Sequence, residues 1–220
     1  MNRWIISLLV IILGINVYGT FLQDVDFRQW LPQQEGEKAS HRCVDLPEKE
    51  TFQCLNNVYK AGQADAEDLL LIGQLHLAGL GTEQNLTESA KFFEKSVAEG
   101  HNPDAMRFLG DLYVREDLLA AKYWYHRAAR MGNLEAQLKL ANIYRYGEEK
   151  EQDAPKALEL YRAASLQGSV EGSYEMALMY GFGIGVEPDL DRTLFILESP
   201  CAKGHQESCE LKAQIEQLRS

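Results

Sequence analysis

The residues of this 220-residue chain with the widest chemical reach are four cysteines and five histidines. His41, His76, His101, His126 and His205 share no spacing that would set two imidazoles on one helix face. Cys43 and Cys54 lie 11 residues apart, and Cys201 and Cys209 lie 8 apart. Neither pair has the tight Cys-x-x-Cys spacing that a four-thiolate zinc site or a redox-active thiol couple calls for. The chain carries no Ser-x-x-Lys, Gly-x-Ser-x-Gly or His-Glu-x-x-His motif and no phosphate loop, so acyl transfer, zinc hydrolysis and nucleotide chemistry lack their usual carriers. No catalytic, cofactor-binding or metal-ligating residue is assigned, and the chain reads as a non-enzyme. Asn85-Leu86-Thr87 fits a glycosylation acceptor, a pattern short enough to arise often by chance. Glu148-Glu149-Lys150-Glu151 reads as a solvated loop.

What the rest of the chain builds is a repeat. Ile72-Gly73-Gln74-Leu75-His76 returns as Leu109-Gly110-Asp111-Leu112-Tyr113, Leu140-Ala141-Asn142-Ile143-Tyr144 and Met176-Ala177-Leu178-Met179-Tyr180. Each phrase leads into a helical run closed by Gly100, Gly132, Gly168 or Gly204, and the last two intervals are each 36 residues. A fixed period of this size with helical punctuation is the signature of a helix-pair solenoid. The one short interval, from Gly100 to Gly132, is explained by a loop that is five residues shorter and a junction, His101-Asn102-Pro103-Asp104, that is one longer. Second helices are predicted to begin near Glu88, Leu118, Pro155 and Asp191, bringing Phe92-Phe93, Trp124-Tyr125, Leu160-Tyr161 and Ile196-Leu197 into one frame. The small residues Gly73, Gly110, Ala141 and Ala177 permit close helix approach. The closing glycines are expected to be left-handed caps, and Gly79-x-Gly81 and Gly183-x-Gly185 mark tight inter-helix turns. His76 stands where the other copies place a tyrosine and is expected to be buried with its hydrogen bonds satisfied. His101 and His205 follow closing glycines and are expected to cap.

The pattern Leu-Gly-x-x-Tyr-x-x-Gly-x-Gly followed by Ala-x-x-x-Tyr-x-x-Ala-Ala-x-x-Gly-Asn resembles the Sel1-like repeat, a relative of the tetratricopeptide repeat. The fullest copies are Ala136–Gly168 and Gly172–Gly204, and the second copy lacks the Gly-x-Gly turn. The resemblance covers the chain from about Asp65 onward. It implies an all-α, right-handed superhelical solenoid of about four helix-pair repeats. In that scheme residues 42–64 form an N-terminal cap, 65–207 the repeats and 208–220 a capping helix, Cys209–Leu218. The segment from Pro200 to Cys209 resembles cysteine-rich secreted members, in which such a pair staples the helix junction. By that likeness Cys201 pairs with Cys209, and Cys43 with Cys54 forms a second local staple. An even cysteine count in an exported chain makes disulfides the default.

Trp4–Leu22 is a run of nineteen residues without charge, preceded by Arg3 and followed by Asp24 and Asp26. At 1.5 Å per residue it matches the hydrocarbon thickness of a bilayer, about 30 Å. Residues 1–22 therefore read as a membrane anchor or a signal peptide, with the following domain outside the cytoplasm. Residues 23–41, which include Trp30, read as a tether. The net charge is −11, becoming −12 once the first 22 residues and their single Arg3 are set aside. Such a surface repels phosphate polymers and argues against nucleic acid as a partner.

The resemblance also implies where a protein partner would sit, since in this class the first helices line the concave wall. Counting four residues before and one after the small packing residues gives Leu69 and Gln74, Met106 and Asp111, Gln137 and Asn142, Ser173 and Leu178. A one-residue helix rotation makes Leu70, Arg107, Leu138 and Tyr174 equally eligible, and with Gln74, Asp111, Asn142 and Leu178 they are taken as the eight candidate partner-binding residues. The mixture of apolar, amide and charged side chains suits a protein segment. Family likeness implies a scaffold in a bacterial envelope, inner-membrane anchored with its repeats in the periplasm or released there as a soluble domain. Its role would be that of an immunity protein against a type VI secretion effector such as a phospholipase, or that of an accessory factor in envelope, motility or secretion assembly. A cell-wall-active enzyme fits less well for want of a nucleophile motif.

Overall fold

The computed structural model describes Cys43 and residues 46–219. The apolar run of residues 4–22, the tether of residues 23–41 and Trp30 lie outside the described residues. Among the described residues, no helix is long and apolar enough to cross a membrane.

The described chain is all helical. Helix α1 spans Glu48–Lys60, and four helix pairs follow: α2 Ala66–Ala78 with α3 Leu86–Gly100, α4 Pro103–Tyr113 with α5 Leu118–Arg130, α6 Leu134–Tyr146 with α7 Ala154–Leu166, and α8 Val170–Phe182 with α9 Leu190–Ala202. Helix α10, Gln206–Arg219, ends the series, and a short 3₁₀ turn at Glu149–Glu151 precedes α7. Each helix packs chiefly on its neighbours in sequence.

Helix starts are set by polar caps. Asp65, Asn85, Asn102, Asp117, Asn133, Asp153, Ser169 and Asp189 each accept a hydrogen bond from a backbone N–H in the first turn that follows, a contribution of about 1 kcal/mol per cap. These caps place α3 at Leu86 and α9 at Leu190, slightly earlier than the aromatic frame alone predicts. Asn85, the candidate glycosylation acceptor, has its amide oxygen engaged by the N–H of Glu88 at 3.0 Å.

Every pair closes with the same bond. The N–H groups of Asn85, Asp117, Asp153 and Asp189 donate to the carbonyls of His76, Tyr113, Tyr144 and Tyr180 at 2.8–2.9 Å. The shortened loop of the second pair therefore changes the path between helices but not the hairpin, and the packing frame survives. Gly132, Gly168 and Gly204 take positive φ at the helix ends, as expected. Gly100 does not. It is the last residue of α3, and His101 adopts the left-handed cap instead, with φ of 51°. The inserted residue before Asn102 displaces the cap by one position. A Cβ on Gly100 would stand 2.6 Å from the Cβ of Ala66, so close helix approach is what that glycine serves.

The core is one large side chain per pair seated on one small residue. A Cβ on Gly73 would meet the ring of Phe93, and one on Gly110 the ring of Tyr125. Ala141 with Tyr161 and Ala177 with Leu197 share buried clusters in the next two pairs. Phe93, Tyr125, Tyr161 and Leu197 are all essentially buried, and each contributes on the order of 2–3 kcal/mol of hydrophobic stabilisation.

Both ends are stapled. Cys43–Cys54 and Cys201–Cys209 are disulfides with Cα atoms 5.7 and 4.8 Å apart. Thr51 Oγ1 donates to the carbonyls of Cys43 and Leu46 at 3.0 and 2.8 Å, fixing the segment before α1. At the other end α10 begins at Gln206, three residues before Cys209, where His205 Nδ1 lies 2.8 Å from Ser208 Oγ. His76 departs from expectation. Its ring lies between Phe52 (5.2 Å, edge-on) and Phe92 (5.6 Å, stacked), and its buried Nδ1 has no hydrogen-bond partner among the described residues. The imidazole substitutes for a packing tyrosine as a ring, not as a polar group.

Candidate functional site

The first helices α2, α4, α6 and α8 carry the eight marked residues, two per helix and one turn apart. All eight are partly exposed, whereas Leu69, Met106, Gln137 and Ser173, which the direct count from the small residues gave, are buried, so the count is corrected by one residue. Those four turn inward. Gln137 Nε2 donates to the Ala129 carbonyl at 3.2 Å, and Ser173 Oγ lies 2.8 Å from Ser165 Oγ. Leu70, Leu138 and Tyr174 pack their inner edges on the buried clusters while keeping an open side. The Tyr174 ring also meets His205, with centroids 5.1 Å apart.

Around these residues runs a ladder of polar contacts between successive first helices. Arg107 reaches Asp111 on its own helix at 2.7 Å and Glu135 on α6 at 3.1 Å. Its guanidinium lies over the Phe108 ring, 3.5 Å from the centroid. Lys139 on α6 reaches back to Asp111 at 3.3 Å. One repeat on, Asn142 donates to Glu171 at 3.5 Å, and Arg145 and Tyr146 both bind Glu175, at 3.1 and 2.6 Å. Glu135 and Glu171 stand three residues before Leu138 and Tyr174, and Lys139 and Glu175 one after. That constant offset is the sequence signal by which these ladder residues could have been found.

The second helices feed the same surface from below. The Tyr125 hydroxyl donates to Asp111 at 2.7 Å, and the Tyr161 hydroxyl donates to Asn142. Burial, reinforced by the Asp111 carboxylate, pushes the Tyr125 phenol well above its usual range. Burial likewise raises Tyr161, with the charge of Glu175 adding to it. Both phenols thus remain neutral donors at physiological pH. In the outer pairs Phe93 and Leu197 occupy this frame, and the facing residues Gln74 and Leu178 receive no hydroxyl from them. A cleft of about 380 Å³ opens beside the inner ties, lined by Asp111, Val114, Arg115, Tyr125, Lys139 and Asn142. Asp111 there accepts from Tyr125 and pairs with Lys139, and Asn142 is bonded to Tyr161 and Glu171, an arrangement that suits recognition by hydrogen bonds and packing. Among the described residues, no cluster of three or more His, Cys, Asp or Glu could hold a metal ion.

Residues 66–101, 103–133, 134–169 and 170–205 each match the Sel1 repeat, and the chain belongs to the Sel1 repeat family. It is thereby a member of a scaffold family that binds proteins and is usually non-catalytic. Among solved structures it is similar to a protective antigen with this fold present in uropathogenic Escherichia coli strains. That likeness has 22% identity and a TM-score of 0.73, over 80% of this chain and 39% of the antigen. It is also similar to a Sel1 repeat protein from Oxalobacter formigenes, at 23% identity and TM-score 0.67, over 76% of this chain and 49% of that one. The chain thus spans at most about half the length of these two proteins. The two disulfides point to an oxidising, extracytoplasmic environment.

Proposed function

We propose that this protein is a periplasmic scaffold of a bacterial envelope that binds a protein segment along the first helices α2, α4, α6 and α8, which form the concave wall of a right-handed superhelix. The supporting observation is the ladder that joins Arg107 and Asp111 to Glu135 and Lys139, and Arg145 to Glu175. It presents ordered charge, exposed at Glu135 and Lys139 and mostly covered at Arg107, Arg145 and Glu175, beside the open sides of Leu70, Leu138 and Tyr174. Charges already held in place cost little further ordering when a partner docks. Residues 1–22 hold the domain at the inner membrane as a single-pass anchor, and carbonate extraction followed by mass measurement of the N-terminal peptide tests that assignment.

The role we propose is immunity, meaning inhibition of a secreted effector such as a phospholipase in the same compartment. The chain's net charge of −11 complements the cationic surface of an effector that acts on anionic membranes. Cross-linked capture from native envelopes, using the intact chain and an Arg107→Ala/Tyr174→Ala variant of unchanged helix content, tests the site and the role together. The variant should lose the partner, each substitution weakening binding by about 1–2 kcal/mol. Retention by that variant, with loss when acidic residues of the second helices are reversed, would move the site elsewhere. Capture of flagellar or secretion components would replace immunity with an assembly role.

A further inference from the structure

A second surface lies between the second helices α7 and α9, over Ser173 and Met176 of α8. A cleft of about 420 Å³ runs there, with Arg162 and Leu166 on one bank and Arg192, Phe195, Glu198 and Lys203 on the other. Leu166 and Phe195 are 81% and 75% exposed, among the most exposed large apolar side chains of the described residues. Three cations face one carboxylate in this cleft, within a chain whose net charge is −11. None of the three cations forms an ion pair among the described residues.

The repeat supplies its own control. In the second-helix frame set by Phe93, Tyr125, Tyr161 and Leu197, the position of Phe195 is occupied by Lys91, Tyr123 and Glu159 in the other copies. The position of Leu166 is Ala98, Arg130 and Ala202, and that of Lys203 is Glu99, Met131 and Gln167. Arg162 and Arg192 correspond to Glu94 and Glu88 in the first copy. The fold therefore tolerates acids or small residues at these positions, and packing does not call for the cationic and apolar ones. Two of the cations are also held in place. The Arg192 guanidinium lies 4.3 Å from the centroid of the Tyr180 ring, and Lys203 Nζ donates to the Gly168 carbonyl at 2.9 Å.

We infer that this cleft is a second docking site and that it takes an acidic segment of a protein partner. In that segment an aliphatic or aromatic side chain rests on Leu166 and Phe195, and carboxylates face Arg162, Arg192 and Lys203. Charge complementarity selects the occupant. The cleft is a local cationic patch, while the strongly acidic remainder of the surface opposes an extended anionic polymer or bilayer. The two exposed apolar side chains would find no partner in a purely polyanionic ligand. None of the eight first-helix residues proposed above lines this cleft.

The test is fluorescence anisotropy on the purified full chain with a labelled peptide that alternates glutamate with leucine and phenylalanine. The intact chain should bind it, more weakly as salt is added. Arg162→Glu/Arg192→Glu and, separately, Phe195→Ser should each lower the affinity about tenfold or more, with helix content unchanged by circular dichroism. Arg107→Ala/Tyr174→Ala should bind like the intact chain, which separates this site from the one proposed above. The inference is overturned if the intact chain ignores the peptide, or if the glutamine counterpart binds equally well. It is also overturned if the charge-reversed variant binds undiminished. Preference for phosphatidylserine vesicles over the peptide would assign the cleft to a membrane surface. Self-association that Phe195→Ser abolishes would assign it to a second copy.

Discussion

Tyr125 of α5 crosses the second helix pair to donate its hydroxyl to Asp111 of α4 at 2.7 Å, while its ring fills the space over Gly110. One side chain thus serves as core ballast and as an anchor for a charged surface residue. The next pair repeats the device with Tyr161 and Asn142. The outer pairs drop it, with Phe93 and Leu197 filling the same space without a hydroxyl. The inner half of the stack is therefore where the core and the proposed binding surface are mechanically joined.

Tyr125→Phe keeps the ring and removes the bond. Asp111 retains Arg107 and Lys139, so its charge is not left stranded. The expected loss is about 1–2 kcal/mol, seen as a lower midpoint in urea with an unchanged slope. Phe93→Tyr in the first pair should gain nothing comparable, because the facing residue there is Gln74 rather than a carboxylate.

Alkaline pH should weaken the fold through the same tyrosines. Tyr125 and Tyr161 have folded-state pKa values raised above their ordinary value of 10.0, chiefly by burial. The folded chain therefore keeps phenolic protons that the unfolded chain releases. Stability from this source is complete below about pH 10 and falls as pH rises beyond it, because the unfolded state then binds fewer protons. Urea titrations on either side of that pH should show the decline in the intact chain and a shallower one in Tyr125→Phe/Tyr161→Phe. Equal decline in both would place the alkaline sensitivity elsewhere.

Gly110→Ala sets two effects against each other. Alanine favours a helix interior by about 1 kcal/mol, but its Cβ would stand 2.9 Å from Cζ of Tyr125, with other ring atoms nearer still. The ring cannot swing away without giving up Asp111, so overpacking of about 1–3 kcal/mol outweighs the propensity gain. A net loss on thermal unfolding is expected, and it should shrink in a Tyr125→Leu background, where the obstructing ring is gone.

Much of this organisation is legible in the sequence, because a repeat states its packing rule several times. The small residue and the large one that covers it keep their frame in all four copies, and even the shortened second loop could be recognised as an irregularity outside the helices. What eluded sequence reasoning depends on how helices meet. Whether Leu69 or Leu70 faces outward turns on a rotation of one residue, which only the packed neighbour decides. The left-handed cap at His101 instead of Gly100 follows from the insertion before Asn102, and the buried, unpartnered Nδ1 of His76 follows from rings supplied by α1 and α3. The cross-repeat pairs of Glu135, Lys139 and Glu175 join residues about thirty positions apart, too far for a local pattern to reveal, although their constant offset from Leu138 and Tyr174 marks them afterwards.

The C-terminal staple gives the last prediction. Among the described residues helix α10 packs chiefly on α9, and three features hold it there: the Cys201–Cys209 bond, the packing of Leu211 and Ile215 on the Leu197 cluster, and an Arg219–Asp191 ion pair at 2.7 Å. The ion pair is solvent-exposed and worth little, so the covalent tie and the two apolar contacts carry the helix. Cys201→Ser/Cys209→Ser should cost about 2–3 kcal/mol in the chain-entropy account of so short a loop. End units of a stack open before inner ones. Hydrogen exchange should therefore speed up first in α10 and next in α9, while α4 to α6 keep their protection at low urea. Peptide mapping without reduction should recover Cys43 joined to Cys54 and Cys201 joined to Cys209 in the intact protein. If exchange instead accelerates evenly along the whole stack, the four pairs unfold as one unit, and the staple stabilises that unit rather than its end.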